Sequence, residues 1–271
     1  GQLTVMNFTL TIMGTASAMP ISDRNPSAQM LNVHGRLFLI DCGEGTQQQI
    51  RRNHLSFLKI EAIFLSHVHG DHVFGIFGLL STMAMYGRTA ELHICAPQSF
   101  GPILKFYLSY YGDELNYEIV HHVTKSKEPE EIYVSKNVRV SAFPLHHKID
   151  CYGYRFDEIV PERRPENPPF VPRSYAYCSD TKPFAELSQW VKGVDVLYHE
   201  ATYPKEMADK ALARYHSTTS DAARCALEAG ASKLVVGHYS SRVTDFDIFQ
   251  KECRDVFPES YAAQDGDIFE I

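Results

Sequence analysis

Residues 61–75 read Glu-Ala-Ile-Phe-Leu-Ser-His-Val-His-Gly-Asp-His-Val-Phe-Gly. The apolar run Ala62, Ile63, Phe64 and Leu65 leads straight into His67, His69, Asp71 and His72. A short apolar run ending in polar side chains predicts a buried strand that delivers a loop at its C-terminal end. His67 and His69 stand two apart, so on extended backbone both rings project to one side. Gly70 can bend the chain and turn Asp71 and His72 toward a neighbouring point. Two imidazoles on one centre, and a carboxylate with an imidazole on a second, make the donor set of a two-metal hydrolytic site. Solvated loop histidines are the plainer explanation, but neutral rings gain nothing from crowding unless they share a cation.

These residues resemble a known family. Ser66-His-Val-His-Gly-Asp-His72 is similar to the His-x-His-x-Asp-His signature of the metallo-β-lactamase fold hydrolases. The continuation from Val73 to Met83 resembles one branch, ribonuclease Z, the endonucleases that trim precursor tRNA at its 3′ end. Further pieces extend the likeness: Gly14-Thr15, Pro20-Ile-Ser-Asp-Arg-Asn25, Asp41-Cys-Gly-Glu-Gly-Thr-Gln47, Asp180-Thr181 and His199-Glu-Ala-Thr202. Ser22 and Ser179 stand where the family usually has Lys and Gly. The loop holding Arg24 is one the family places near the RNA end. The family also carries a long arm for gripping tRNA between the Gly-Tyr-Arg strand and the Asp-Thr strand. Here only 22 residues lie between Arg155 and Cys178.

Composition sets bounds on this reading. Hydrophobic residues at 44% and charged residues at 22% are ordinary globular values. No run of eighteen apolar residues occurs, so no membrane span is expected. The six cysteines are widely spaced without a Cys-x-x-Cys pair, which reads as reduced thiols in a cytoplasmic protein. A net charge of −7 argues against a broadly basic nucleic-acid binder, so attraction to RNA must be local.

Along the chain, alternation over Leu3–Met13 predicts an outer strand, and Ala28–Val33 with Arg36–Asp41 a hairpin joined at His34-Gly35. Helices are expected near Gln47–Arg52, over Phe74–Tyr86, from Pro97 onward, and over Ala208–Tyr215, Asp221–Ala229 and Phe246–Val256. Tyr117–Val123, Glu131–Val134 and Val138–Phe143 read as antiparallel strands. Tyr175–Cys178, Val194–Tyr198 and Lys233–Val236 read as buried strands, and Asp265-Gly266 as the turn of a terminal hairpin. Residues 160–172 hold five prolines and predict an extended connection. Arg163, Arg164 and Arg173 would make of it either a solvated loop or a short RNA-touching arm. Strand then helix, twice over, predicts two sheets covered by helices. That is the four-layer αββα sandwich, α/β in class, which the resemblance implies, with residues 1–271 as one domain.

His146-His147 closes a strand and supplies a further imidazole, and spacing alone does not choose between the two. The family ligand lies six residues before a Gly-Tyr pair, and Gly153-Tyr154 places His147 there. Asp180, at a strand end, can bridge two cations by giving one oxygen to each. His67, His69 and His147 would then hold one metal and Asp71, His72 and His238 the other. Nitrogen and oxygen donors without thiolate fit two zinc ions, with manganese the alternative. A water between two such cations has its pKa lowered toward about 7, which supplies hydroxide at neutral pH. His216 is the candidate general acid and Glu200 its orienting carboxylate, while Asp71 doubles as a proton acceptor by resemblance. Ser240, Ser241 and Arg242 follow directly after His238, placed to hold a phosphate together with Arg24. The expected substrate is precursor tRNA, or else a small phosphodiester or other ester, and the resemblance implies a homodimer.

Overall fold

The structure is a computed structural model that describes residues 6–159 and 170–271. The expectations for Leu3, Val5, Arg163 and Arg164 therefore fall outside the described residues. The chain first lays down β1 (Phe8–Gly14), β2 (Ala28–Val33), β3 (Arg36–Cys42), β4 (Ile60–Phe64), β5 (Leu92–Pro97) and β6 (Ile119–Thr124). It then builds β7 (Glu130–Val134), β8 (Val138–Pro144), β9 (Tyr152–Glu158), β10 (Ser174–Cys178), β11 (Val196–Glu200), β12 (Lys233–Gly237) and β13 (Ser260–Ala262). A last strand, β14 (Ile268–Glu270), returns to the first sheet. The two seven-stranded sheets run β14-β1-β2-β3-β4-β5-β6 and β13-β12-β11-β10-β9-β8-β7.

Local chemistry explains the connections. β2 and β3 pair antiparallel through His34 and Gly35, both at positive φ (55° and 90°), the backbone a tight hairpin turn requires. β3, β4, β5 and β6 run parallel because helices fill the crossovers between them. Those helices are α1 (Thr46–Arg52), the short α2 (Gly70–Val73), α3 (Ile76–Met85) and α4 (Phe100–Tyr111).

Three expectations change here. The strand over 117–123 lies parallel to β5 in the first sheet, whereas β7 and β8 open the second as an antiparallel pair. The α4 crossover decides this, since a connection of that length returns the chain parallel to where it left. Pro97 closes β5 instead of opening a helix, its missing N–H being tolerated at a strand end. Asp265-Gly266 turns no hairpin either: β13 pairs with β12, and β14 crosses to pair with β1. Asp265 fixes that crossing by accepting from Thr15 Oγ1 at 2.8 Å and from Asn25 N at 2.7 Å.

The second half adds α5 (Leu187–Trp190), α6 (Ala208–Ala213), α7 (Thr219–Ala229) and α8 (Asp247–Val256). α7 opens on a reciprocal capping box between Thr218 and Asp221, which satisfies donors the helix cannot satisfy itself. Between the sheets, Phe38 and Phe64 meet Tyr154 and Phe156, with Phe64 edge-on to Phe156 at 5.0 Å between centroids. Outside them, Leu79, Leu80, Met83, Phe100 and Leu104 cover the first sheet, and Leu187, Ala222, Ala226 and Phe249 the second. Helix, sheet, sheet, helix is the observed layering. Among the described residues, no helix is long and apolar enough to cross a membrane. All six cysteines are unpaired.

Candidate metal centre

The site forms where both sheets end on one side. β4 runs out into Ser66 and His67, and α2 then carries Asp71 and His72. The end of β3 must press against this turn, and two glycines allow it. A Cβ on Gly75 would lie 2.1 Å from Gly43 O, and one on Gly43 would lie 2.5 Å from Asp71 O. From the other sheet come His147 after β8, Asp180 after β10, Glu200 ending β11, and His238 after β12.

Three groups of donor atoms converge, each within 4.8 Å of one another: His67, His69, His147 with Asp180; Asp71, His72 with His238; and Asp180, Glu200, His216 with His238. Asp180 stands in the middle. Its Oδ2 lies 3.4 Å from His67 Nε2 and 3.5 Å from His147 Nε2. Its Oδ1 lies 3.4 Å from His72 Nε2 and 3.3 Å from His238 Nε2. Asp71 Oδ2 adds contacts of 3.4 Å to His72 Nε2 and 3.3 Å to His238 Nε2.

These spacings are long for hydrogen bonds but suit shared cations. Two ligands each ~2.1 Å from a tetrahedral ion stand roughly 3.4 Å apart. His67 Nε2, His72 Nε2 and Asp180 Oδ1 are also buried without a hydrogen-bond partner among the described residues. Buried polar atoms are seldom left unsatisfied, and three of them within these two clusters fit a metal pair. Imidazole and carboxylate donors suit zinc or a neighbouring divalent ion.

The Nδ1 side of most rings is held from behind. His72 Nδ1 donates to Asp41 Oδ2 at 2.7 Å. His67 Nδ1 meets Ser66 Oγ at 2.9 Å, and that hydroxyl donates on to Asp41 Oδ2 at 2.8 Å. Ser66 N and the Tyr177 hydroxyl donate to the same buried carboxylate. His147 Nδ1 donates to Tyr215 O at 3.0 Å. His238 Nδ1 donates to Thr202 Oγ1 at 3.0 Å, and Thr202 passes its own proton to Glu200 Oε2 at 3.0 Å. Such supports fix tautomer and ring orientation, leaving each Nε2 lone pair for a cation. Asp41, Tyr215 and His238 all sit at positive φ (57°, 59° and 66°), strain that the surrounding contacts hold in place.

The electrostatics agree with a cation-seeking cluster. Burial pushes His67 and His69 down and His147 down to about 3, so these rings are neutral donors. Burial opposes ionisation of Asp180, yet His238, His72 and His67 hold its carboxyl well below the usual range. Burial likewise opposes charge on His72, but Asp71, Asp180 and Asp41 outweigh it and raise its pKa well above the ordinary value. A proton there occupies the place of positive charge that a divalent ion would take.

His216 and Glu200 form a close pair through Nδ1 and Oε2, and Ser217 N donates to the other carboxylate oxygen. Burial lowers the His216 pKa less than Glu200 raises it, so it stands at about 9. His199 does not compete for that carboxylate; its Nδ1 donates to the Glu200 backbone carbonyl at 2.7 Å. His146 stays outside the cluster, stacked on Phe184 at 3.9 Å.

The phosphate-binding candidates lie beside the site with unequal freedom. Ser241 and Arg242 are exposed, but Ser240 is buried and its hydroxyl accepts from Arg242 N at 3.3 Å. Arg24 packs over the rings of Tyr239 and Phe246 at 5.1 and 5.2 Å. The Arg173 guanidinium is engaged within the protein, donating to Glu158 at 2.9 and 2.7 Å and to Met6 O at 2.8 Å. Sequence reasoning missed Asp41, Ser66, Thr202 and the Tyr215 carbonyl. Asp41 opens the Asp41-Cys-Gly-Glu-Gly-Thr46 motif, but nothing in its spacing points at His72.

The Beta-lactamase superfamily domain family matches residues 36–239 of this chain. That defines the class the fold and the histidine–aspartate cluster belong to. Ribonuclease Z of Bacteroides fragilis is 37% identical over 299 aligned residues, spanning 96% of this chain and 97% of that protein. Ribonuclease Z of Cytophaga hutchinsonii is 37% identical over 303, spanning 98% and 97%. The crystal structure of the short form of human tRNase Z matches at TM-score 0.80 and 26% identity, covering 96% of this chain and 98% of that one. The chain belongs to the ribonuclease Z family of hydrolytic endoribonucleases. A diphosphatase of the PhnP family shares the fold at TM-score 0.71 and 23% identity, covering 98% of each chain, so the fold by itself fixes no substrate.

Proposed function

We propose that this protein is a dinuclear zinc phosphodiesterase that removes the 3′ trailer of precursor tRNA. The observation that carries it is Asp180, which turns one oxygen toward His67 and His147 and the other toward His72 and His238. On this reading His67, His69 and His147 hold one ion, Asp71, His72 and His238 the other, and Asp180 both. Bound there, the pair supplies Lewis acidity toward phosphoryl oxygens and lowers the pKa of water.

The chain's own residues do the rest. The Asp71 carboxylate, fixed by Ala18 N at 3.1 Å, takes the proton of the attacking water. His216 is locked at Nδ1 by Glu200, which leaves Nε2 to give its proton to the leaving oxygen. A pKa of about 9 keeps that proton available at neutral pH. The reading takes residues 1–271 as one domain working in the cytoplasm, where its unpaired thiols stay reduced, and as a homodimer.

A second reading, a hydrolase of small phosphodiesters, has one observation in its favour. Only 22 residues separate Arg155 from Cys178, and the alignment with the Bacteroides protein is longer than this 271-residue chain. That relative therefore has residues without counterparts here, and a short connection between β9 and β10 leaves less protein to grip tRNA. Incubation with a 3′-extended precursor tRNA and, separately, with bis-p-nitrophenyl phosphate distinguishes the two. Cleavage of the tRNA to a 3′ hydroxyl is expected; brisk turnover of the ester with intact tRNA would overturn the first reading in favour of the second.

A further inference from the structure

A chain of net charge −7 that handles a polyanion needs cations gathered at the point of use, and such a group stands beside the centre. Lys182 follows Asp180-Thr181, its backbone N–H donating to His146 O at 2.9 Å. Its ammonium lies 4.9 Å from the centroid of the Tyr215 ring. On α6, Lys210 Nζ lies 5.7 Å from the Tyr203 ring, and Arg214 just beyond reaches the Tyr203 hydroxyl at 3.4 Å. Tyr203 in turn faces the His216 ring at 6.2 Å. Desolvation and then the like charges of Arg214 and Arg242 lower the pKa of the Lys210 ammonium.

Carboxylate partners of lysine and arginine are few in this molecule: among the described residues only Arg36, Arg139, Arg155 and Arg173 have one, at 2.8, 2.8, 3.2 and 2.7 Å. Among the described residues, no carboxylate lies within 4.0 Å of the cationic groups of Lys182, Lys210, Arg214 or Arg242. Like charges left together without counter-charges oppose folding, so an anion that binds them gains what the fold gives up. Tyr215 is 37% exposed, and its backbone carbonyl holds His147. An exposed ring fixed next to the centre and flanked by cations is the arrangement that takes unpaired bases and their phosphates.

We propose that Lys182, Lys210, Arg214 and Tyr215 form a rim that grips single-stranded RNA next to the scissile phosphate. The cations take backbone phosphates, and Tyr215 is the platform for one base. This assignment rests on the endoribonuclease reading above and extends it. In a chain with a short connection between β9 and β10, the rim supplies affinity close to the cut, where a distant arm would otherwise supply it.

The test is the triple variant Lys182→Ala, Lys210→Ala, Arg214→Ala in the metal-loaded protein. Three lost phosphate contacts should flatten the slope of log kcat/KM against log salt by about 2 for precursor tRNA, at roughly 0.7 per contact. Turnover of bis-p-nitrophenyl phosphate, too small to reach the rim, should stay at the wild-type rate. Tyr215→Ala should lower kcat/KM on the tRNA roughly fivefold to a hundredfold, and Tyr215→Phe, which keeps the ring, should restore it. An unchanged salt slope overturns the proposal. Equal loss on both substrates overturns it too, by making these residues supports of the centre. Anisotropy of a short fluorescent single-stranded RNA reports the rim without cleavage. Wild-type binding that the triple variant loses supports the rim even if tRNA cleavage fails; equal binding by both sinks it.

Discussion

Replacing Asp41 with Asn tests whether the centre depends on the carboxylate behind it. Asp41 is fully buried and takes four donors: Ser66 N at 2.8 Å, Ser66 Oγ at 2.8 Å, His72 Nδ1 at 2.7 Å and the Tyr177 hydroxyl. Asparagine keeps the shape but exchanges one accepting oxygen for an NH2 group. Whichever way the amide turns, a donor then faces a donor, and at least one buried group loses its partner at ~1–3 kcal/mol. His72 loses its anchor directly, and His67 loses it through Ser66. Removal of such a support lowers metal affinity roughly 10–100-fold, or about 1.4–2.7 kcal/mol. A competition titration of metal-free protein against a chromophoric chelator measures this. The ion expected at Asp71, His72 and His238 should weaken most, because His72 touches Asp41 directly. The apo protein should melt lower by only a few degrees. Unchanged affinity for both equivalents would refute the orienting role of Asp41.

Asp180→Ala should lose metal at both positions, read as well under one equivalent by elemental analysis after dialysis, since its two oxygens face the two clusters. His216→Ala should retain both equivalents while turnover of precursor tRNA falls roughly 10²–10⁴-fold, the range for a lost general acid. Wild-type activity in that variant would return the acid role to another group. Stability should also depend on pH through Glu158. Burial opposes its charge, but hydrogen bonds from Arg173 and His34 hold its carboxyl below the ordinary value of 4.5. A depressed carboxylate stabilises fully above the unfolded pKa and loses that contribution as pH falls through the folded one. The melting temperature should therefore drop on acidification below about 4.5, and less steeply in Glu158→Gln; parallel wild-type and variant curves would reject the assignment.

Several features depended only on neighbours in sequence. His67, His69, Asp71 and His72 fall within six positions at the end of an apolar strand, so their spacing alone placed four donors together. Turn chemistry at His34-Gly35 and the cap at Thr218 were equally local, because backbone donors a few residues apart must find partners there. Where an element belongs in the sheets was not local. The strand over 117–123 could not be assigned to its sheet without knowing that α4 carries it over β5. The last turn looked like a hairpin until β14 was seen beside β1.

The supports of the centre were hidden for the same reason. Asp41 reaches His72 across 31 positions, Thr202 reaches His238 across 36, and the Tyr215 carbonyl reaches His147 across 68. Spacing in sequence carries no information about contacts of that kind. The sequence by itself determined which donor atoms exist and that four of them share one loop. Only the tertiary structure decided that Asp180 turns one oxygen to each cluster, because that requires both sheets to end on the same side. It also decided which cations gather at the rim, since Lys182 comes to the Tyr215 ring only through packing between distant segments.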